Sequence, residues 1–149
     1  MQKPYLIVRR HPYEEPYLTQ LEINASNGIF CGTVDFYCNV EDLTEIGQQF
    51  KNFPQKIGDE YQYEYGSENP KDNYYSYFLF RVYTTDSLGH CAIQIAMNTN
   101  YIEPHEGSCK FSIKAEAAAI NRLGELFERF GRLEHLELRW NLVDGELLK

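Results

Sequence analysis

At 149 residues the chain has the length of one domain with a substantial core, and its 43% hydrophobic and 15% aromatic content excludes a disordered chain. A formal charge of −8 disfavours nucleic acid, whose binding rests on cations that displace counterions, and suits a cationic partner or plain solubility. No apolar run approaches the ~20 residues that cross a bilayer, and Tyr5–Val8 is too short for a signal peptide. The expectation is therefore a single cytoplasmic domain, residues 1–149, that does not engage a membrane.

In chain order, Tyr17–Ala25 alternates, with Tyr17, Thr19, Leu21, Ile23 and Ala25 on one side, as a half-buried strand does. Asn27-Gly28 is a hairpin turn signal, because both residues tolerate positive φ. The returning strand "IFCGTVDFYC" places Phe30, Val34, Phe36 and Cys38 together. Asn39 is a helix N-cap, with Glu41 and Asp42 near the positive helix start. Leu43, Ile46, Gly47, Phe50 and Phe53 then recur at helical spacing, and Pro54 ends the helix.

Glu60–Tyr65 reads as a strand, followed by a polar loop with Gly66 and Pro70 and a long strand Tyr74–Thr85. Asp86–Gly89 turns the chain into "HCAIQIAMN", with Cys91, Ile93, Ile95 and Met97 on one side. "CKFSIKA" alternates in the same way. Glu116–Phe130 carries an apolar stripe of Ile120, Leu123, Phe127 and Phe130, widened by Ala119 and Leu126, and Gly131 is placed to supply a left-handed cap. "HLELRW" is a last short strand, with Leu136, Leu138 and Trp140 on one side. Hairpin-joined strands and two helices imply an α+β domain: a mostly antiparallel β-sheet with two α-helices packed on one face, Leu43, Ile46, Phe50, Ile120, Leu123 and Phe127 facing the sheet.

Motifs for chemistry are absent. There is no G-x-S-x-G and no phosphate loop. His90 and Cys91 are adjacent, but strand neighbours point to opposite faces and do not make a dyad. His105-x3-Cys109 has ligand-like spacing without a C-x-x-C partner, so no metal site and no cofactor is expected. Cys31, Cys38, Cys91 and Cys109 each sit in a strand-like apolar pattern and are expected to be free, buried thiols. The carboxylate pairs Glu14-Glu15, Glu41-Asp42 and Asp59-Glu60 fall in loops or at a helix start, where charges are solvated. No catalytic residue is assigned.

One stretch stands out. Asp59–Phe78 holds six tyrosines and five acidic residues against a single lysine. The acids oppose base stacking by the tyrosines. Two compatible readings remain: a wet sheet face of amphipathic tyrosines, and a protein-binding face in which tyrosines give contact area and acids orient a basic partner. The candidate partner-binding residues are Tyr61, Tyr63, Glu64, Tyr65, Tyr75 and Tyr77, with Glu60 and Glu68 at the rim. Tyr75 and Tyr77 are expected to share the face of Tyr61, Tyr63 and Tyr65 if the two strands pair across the 66–73 loop.

The strings "GIFCGTVDFYCNVEDLTEIGQQFKNFP", "YYSYFLFRVYTTDSLGHCAIQIAMNTN" and "CKFSIKAEAAAINRLGELFERF" together resemble small bacterial proteins of the WapI-like immunity group, over roughly residues 17–133. The shared elements are G-x-F-x-G before an aromatic strand, a helix ending near Phe-Pro, an Asp-x-x-Gly-His turn, and a strand leading into a Glu-Ala-Ala helix. The resemblance implies a non-enzymatic immunity protein that binds the toxic C-terminal domain of a contact-delivered toxin, a class that includes nucleases. The alternative is a small enzyme or ligand-binding domain of unknown substrate.

Overall fold

The computed structural model describes residues 3–149. Among the described residues, nine strands form two antiparallel sheets rather than one. The first holds β1 (Tyr5–His11), β2 (Leu18–Ser26), β3 (Cys31–Asn39), β8 (Glu137–Asn141) and β9 (Gly145–Leu148), in the order β3-β2-β1-β8-β9. The second holds β4 (Glu60–Gly66), β5 (Tyr77–Thr84), β6 (Cys91–Asn98) and β7 (Ser108–Lys114), in sequence order. The α+β class, with two helices and antiparallel pairing, holds; the strands divide between two sheets where one was expected. Inward residues of both sheets and both helices feed one continuous apolar core.

Strand β1 is the origin of the difference. It pairs with β2 on one side and β8 on the other, centring the first sheet. Leu6 and Val8 point inward, and so does Arg10, which is only 6% exposed. That buried cation breaks the apolar alternation that would have announced a strand. Two hydrogen bonds from its guanidinium to the His135 carbonyl (3.0 and 2.7 Å) satisfy it, with an ion pair to the largely buried Glu15 carboxylate. Glu15 in turn accepts from Thr19 at 2.7 Å. Leaving any of these groups unpaired would cost the full desolvation penalty.

Helices α1 (Val40–Lys51) and α2 (Ala117–Phe130) bury Leu43, Ile46, Phe50, Leu123 and Phe127, as their spacing predicts. They also pack on each other at unusually close range. A Cβ on Gly47 would lie 2.8 Å from the Gly124 carbonyl oxygen, and one on Gly124 would lie 2.7 Å from the Gly47 carbonyl oxygen. Gly131 is not left-handed: its φ is −64°, and Leu133 takes the positive φ instead. Its lack of a side chain serves a close approach, since a Cβ there would sit 2.9 Å from Thr44 Oγ1.

The Asn27-Gly28 hairpin forms, with the Asn27 side chain accepting from the backbone N–H of Ile29 and Phe30 and Gly28 at φ 95°. Phe30 and Tyr17, expected on apolar faces, are instead exposed beyond the strand ends, and so is Leu136. At the other end of the first sheet, the turn Leu142–Asp144 returns the chain as β9, which pairs with β8.

Candidate functional site

Strands β3 and β4 are the terminal strands of their sheets. An aromatic seam lies between them. Register pairs Tyr61 with Val82, Tyr63 with Phe80 and Tyr65 with Phe78, so these three tyrosines share the core-facing side of the second sheet. The Phe36 ring of β3 stacks on Tyr65 at 4.9 Å between centroids, and the Tyr61 ring meets Phe50 of α1 edge-on at 6.1 Å. All three tyrosines are half-buried. Their rings complete the core and their hydroxyls reach its edge, where Tyr63 donates to Asp42 of α1 at 3.3 Å.

The other predicted residues are split. Tyr77 pairs with Gly66 in register and points to the opposite, outward face of the sheet, where its hydroxyl donates to Glu64 at 2.6 Å. Expecting it to share the Tyr61 face is corrected: the β4–β5 register puts Phe78, not Tyr77, on that side. Tyr75 precedes β5. Its hydroxyl donates to the Asp35 carboxylate at 3.2 Å, and the neighbouring buried Ser76 donates to the Asp35 carbonyl at 2.7 Å. The 74–76 segment thus ties the second sheet to β3. Glu60 is ion-paired with Arg81. Glu68 accepts from Asn98 at 2.9 Å.

Sequence reasoning missed Asp35, Asp42 and Glu45, which face the tyrosine edge from β3 and α1. Asp35 accepts from Gln20 as well as Tyr75, and the negative charges of Asp42 and Glu45 both bear on Tyr61. Nothing in the sequence announces that Phe36 of β3 meets the rings of Tyr63 and Tyr65 on β4, a strand of the other sheet.

The seam holds its protons tightly. Burial, reinforced by Glu45 and Asp42, pushes Tyr61 up to about 12. Tyr63 is raised further by burial, with Cys38 and Asp42 adding to it. Tyr75 is pushed up to about 12, chiefly by its hydrogen bond with Tyr101. Burial raises Tyr77, as does its bond to Glu64. At neutral pH these phenols are donors and not bases. Among the described residues, Asp35, Asp42, Glu64 and Glu68 have no Lys, Arg or His within ion-pair distance. Tyrosine hydroxyls and side-chain amides serve them instead, which leaves their charge uncompensated.

A second feature is a cavity of about 500 Å³ in front of α2, lined by Asp86, His90, Cys91, Lys114, Glu116 and Arg122 among others. His90 Nδ1 lies 2.6 Å from Asp86, which raises the imidazole and lowers the carboxyl. The buried Cys91 thiol donates to the Gly89 carbonyl at 3.3 Å, and burial raises it from the ordinary thiol range. That is the reverse of an activated nucleophile. Arg122 donates to the Asn141 carbonyl at 2.7 Å, while its buried Nε has no partner. Among the described residues, no three His, Cys, Asp or Glu side chains converge as a metal site, and no helix is long and apolar enough to cross a membrane.

No protein family and no characterised protein matches the chain. Among solved structures, one of the plant transcriptional regulator PBF-2 is similar at 12% identity, covering 88% of this chain and 76% of that chain with a TM-score of 0.47. A likeness that distant transfers no function.

Proposed function

We propose that this chain is a non-enzymatic binding protein that neutralises a basic protein domain, the toxic C-terminal domain of a bacterial toxin, in the cytoplasm. One observation carries the proposal: the uncompensated carboxylates Asp35, Asp42, Glu64 and Glu68 cluster around an edge of half-buried tyrosines. Such an edge offers rigid aromatic area with a negative field, the complement of a cationic surface. The same field opposes nucleic acid. The resemblance of the three sequence strings to immunity proteins supplies the class of target, nucleases included.

The contact region then differs from a single sheet face. A partner approaching β4 from its open side meets Tyr61, Tyr63 and Tyr65 with Asp35 and Asp42 on one flank, and Glu60, Glu64 and Tyr77 on the other. Tyr75 and Glu68 mark the end of this region. Co-expression with the toxin domain encoded by the neighbouring reading frame tests the reading. Survival of the host and co-purification of a stable complex are expected. Continued toxicity with no complex between the purified partners overturns it.

A second reading, a small-ligand-binding domain, is favoured by the α2 cavity, where Lys114 and Arg122 have no acidic partner within ion-pair distance among the described residues. Thermal-shift screening against small carboxylates and phosphates separates the two readings, because neither ligand class fits the acidic seam.

A further inference from the structure

Phe80, Val82, Ile93, Ile95, Phe111 and Ile113 of the second sheet feed the core. Alternation turns their strand neighbours to the opposite, outward face. The buried apolar residues of both helices join the same core, on the inward side. Leu79, Ala92 and Ala96 are buried apolar residues outside that core. They form the floor of a sheet face that neither helix covers.

Register sorts this face by charge. One cross-strand row runs Glu60, Tyr83, Ala92, Lys114, and a second runs Glu64, Leu79, Ala96, Lys110. Each begins in an exposed glutamate on the terminal strand β4 and ends in an exposed lysine on the terminal strand β7. Among the described residues, Glu64, Lys110 and Lys114 have no opposite charge within ion-pair distance. Between the rows, Arg81 pairs with Glu60, donates to Gln94 at 3.3 Å and lies 4.1 Å over the Tyr83 ring, whose hydroxyl meets Ser112 at 3.1 Å. The centre of the face is thus ordered before anything docks on it, which lowers the cost of forming an interface.

We propose that this face is a self-complementary interface for a second copy of the chain, packed sheet on sheet about a twofold axis that runs along the strands between β5 and β6. Such a rotation lays each β4 over β7 of the other copy and keeps every row at its own level. Glu60 then faces Lys114 and Glu64 faces Lys110, twice over. Strand β5, carrying Leu79 and Tyr83, lies over β6, whose Ala96 and Ala92 leave room. Stacked sheets sit ~10 Å apart, a span that a glutamate and a lysine close end to end. A partner of one sign, by contrast, meets its own charge on half of the face. Four strands ~4.8 Å apart, each about seven residues long at ~3.3 Å per residue, make a face of roughly 400–450 Å². Two such faces bury roughly 900 Å², below the ~1,200 Å² at which stable interfaces begin, so the dimer is weak and salt-sensitive. This inference goes beyond the neutralising role and does not rest on it. A basic partner would contend with the second copy for Glu60 and Glu64.

Sedimentation equilibrium of the purified chain, from about 1 μM to about 1 mM, tests the proposal. A monomer–dimer equilibrium with a micromolar dissociation constant is expected, weakening as salt rises. Lys110→Glu with Lys114→Glu should give a monomer, because glutamates then face glutamates. Glu60→Lys with Glu64→Lys should do the same with lysines. An equimolar mixture of the two double variants should form a heterodimer, since every facing pair is again of opposite sign. Both variants stay net acidic, so overall charge does not draw them together. All four side chains are exposed, so the changes spare the core. A wild-type protein that is monomeric throughout, a dimer that either double variant keeps, or a mixture that stays monomeric overturns the proposal.

Discussion

Replacing Gly124 with alanine sets two opposing terms against each other at the helix crossing. In an ordinary helix interior the change stabilises by about 1 kcal/mol. Here the new Cβ would lie 2.3 Å from the Lys51 backbone nitrogen and 2.7 Å from the Gly47 carbonyl oxygen. Comfortable contacts are ~3.5–4 Å, and neither obstructing atom belongs to a side chain that can rotate away. The helices must part by roughly 1 Å, and a gap of that size forfeits about a quarter to a half of each contact along Leu43, Ile46, Phe50, Leu123 and Phe127. Overpacking of this kind costs about 1–3 kcal/mol, and the obstruction by backbone places this site at or above the upper end. Net destabilisation of about 2 kcal/mol is expected, or a fall of roughly 4–8 °C in Tm for a domain of this size. Chemical denaturation with linear extrapolation measures it. Gly47→Ala should behave alike, and the double variant should lose less than the sum, because the helices have already separated. A Gly124→Ala protein as stable as the parent would refute the close crossing.

The remaining predictions concern the seam. Changing Asp35 and Asp42 together to asparagine should slow association with the basic partner, with an effect that shrinks as salt rises and with little change in dissociation rate; stopped-flow binding at two ionic strengths decides it. Stability should also fall in alkali. Tyr61 titrates near 12 in the folded protein and about 10 when unfolded, so the unfolded chain loses its proton first. The stability associated with the protonated phenol is present below pH about 10 and lost as pH rises toward about 12. Denaturation midpoints measured across that window should decline less steeply for Tyr61→Phe, and identical slopes would show that Tyr61 is not perturbed.

Both helices were legible in the sequence because their apolar stripes have the right period and end in polar or breaking residues. Seven of the strands, β2 to β8, were legible through alternation and turn signals. Partition into two sheets was not. An antiparallel hairpin looks the same in either sheet, and β1, the strand that organises the first, conceals itself behind the buried Arg10. The tyrosine-rich stretch was identifiable as unusual but not as a seam. Alternation correctly put Tyr61, Tyr63 and Tyr65 together. Which side of the sheet they took depended on the β4–β5 register and on Phe36 from another sheet, both long-range facts.

That placement decides how a binding role can be tested. Tyr63 supports the core through its ring near Phe36 and supports α1 through Asp42. Truncating it to alanine removes packing and leaves a polar partner behind, so a loss of binding would not distinguish a contact from a weakened fold. The carboxylates lack this ambiguity. Asparagine keeps an oxygen that can accept from Tyr63 or Tyr75, and neither Asp35 nor Asp42 has an ion pair to lose. Each substitution removes a charge while leaving the hydrogen-bonding pattern available. A protein whose interface shares side chains with its core can vary its charges freely and its rings hardly at all. Under the proposed binding role, partner specificity therefore resides in the carboxylates around the seam, and the tyrosines supply a constant platform beneath them.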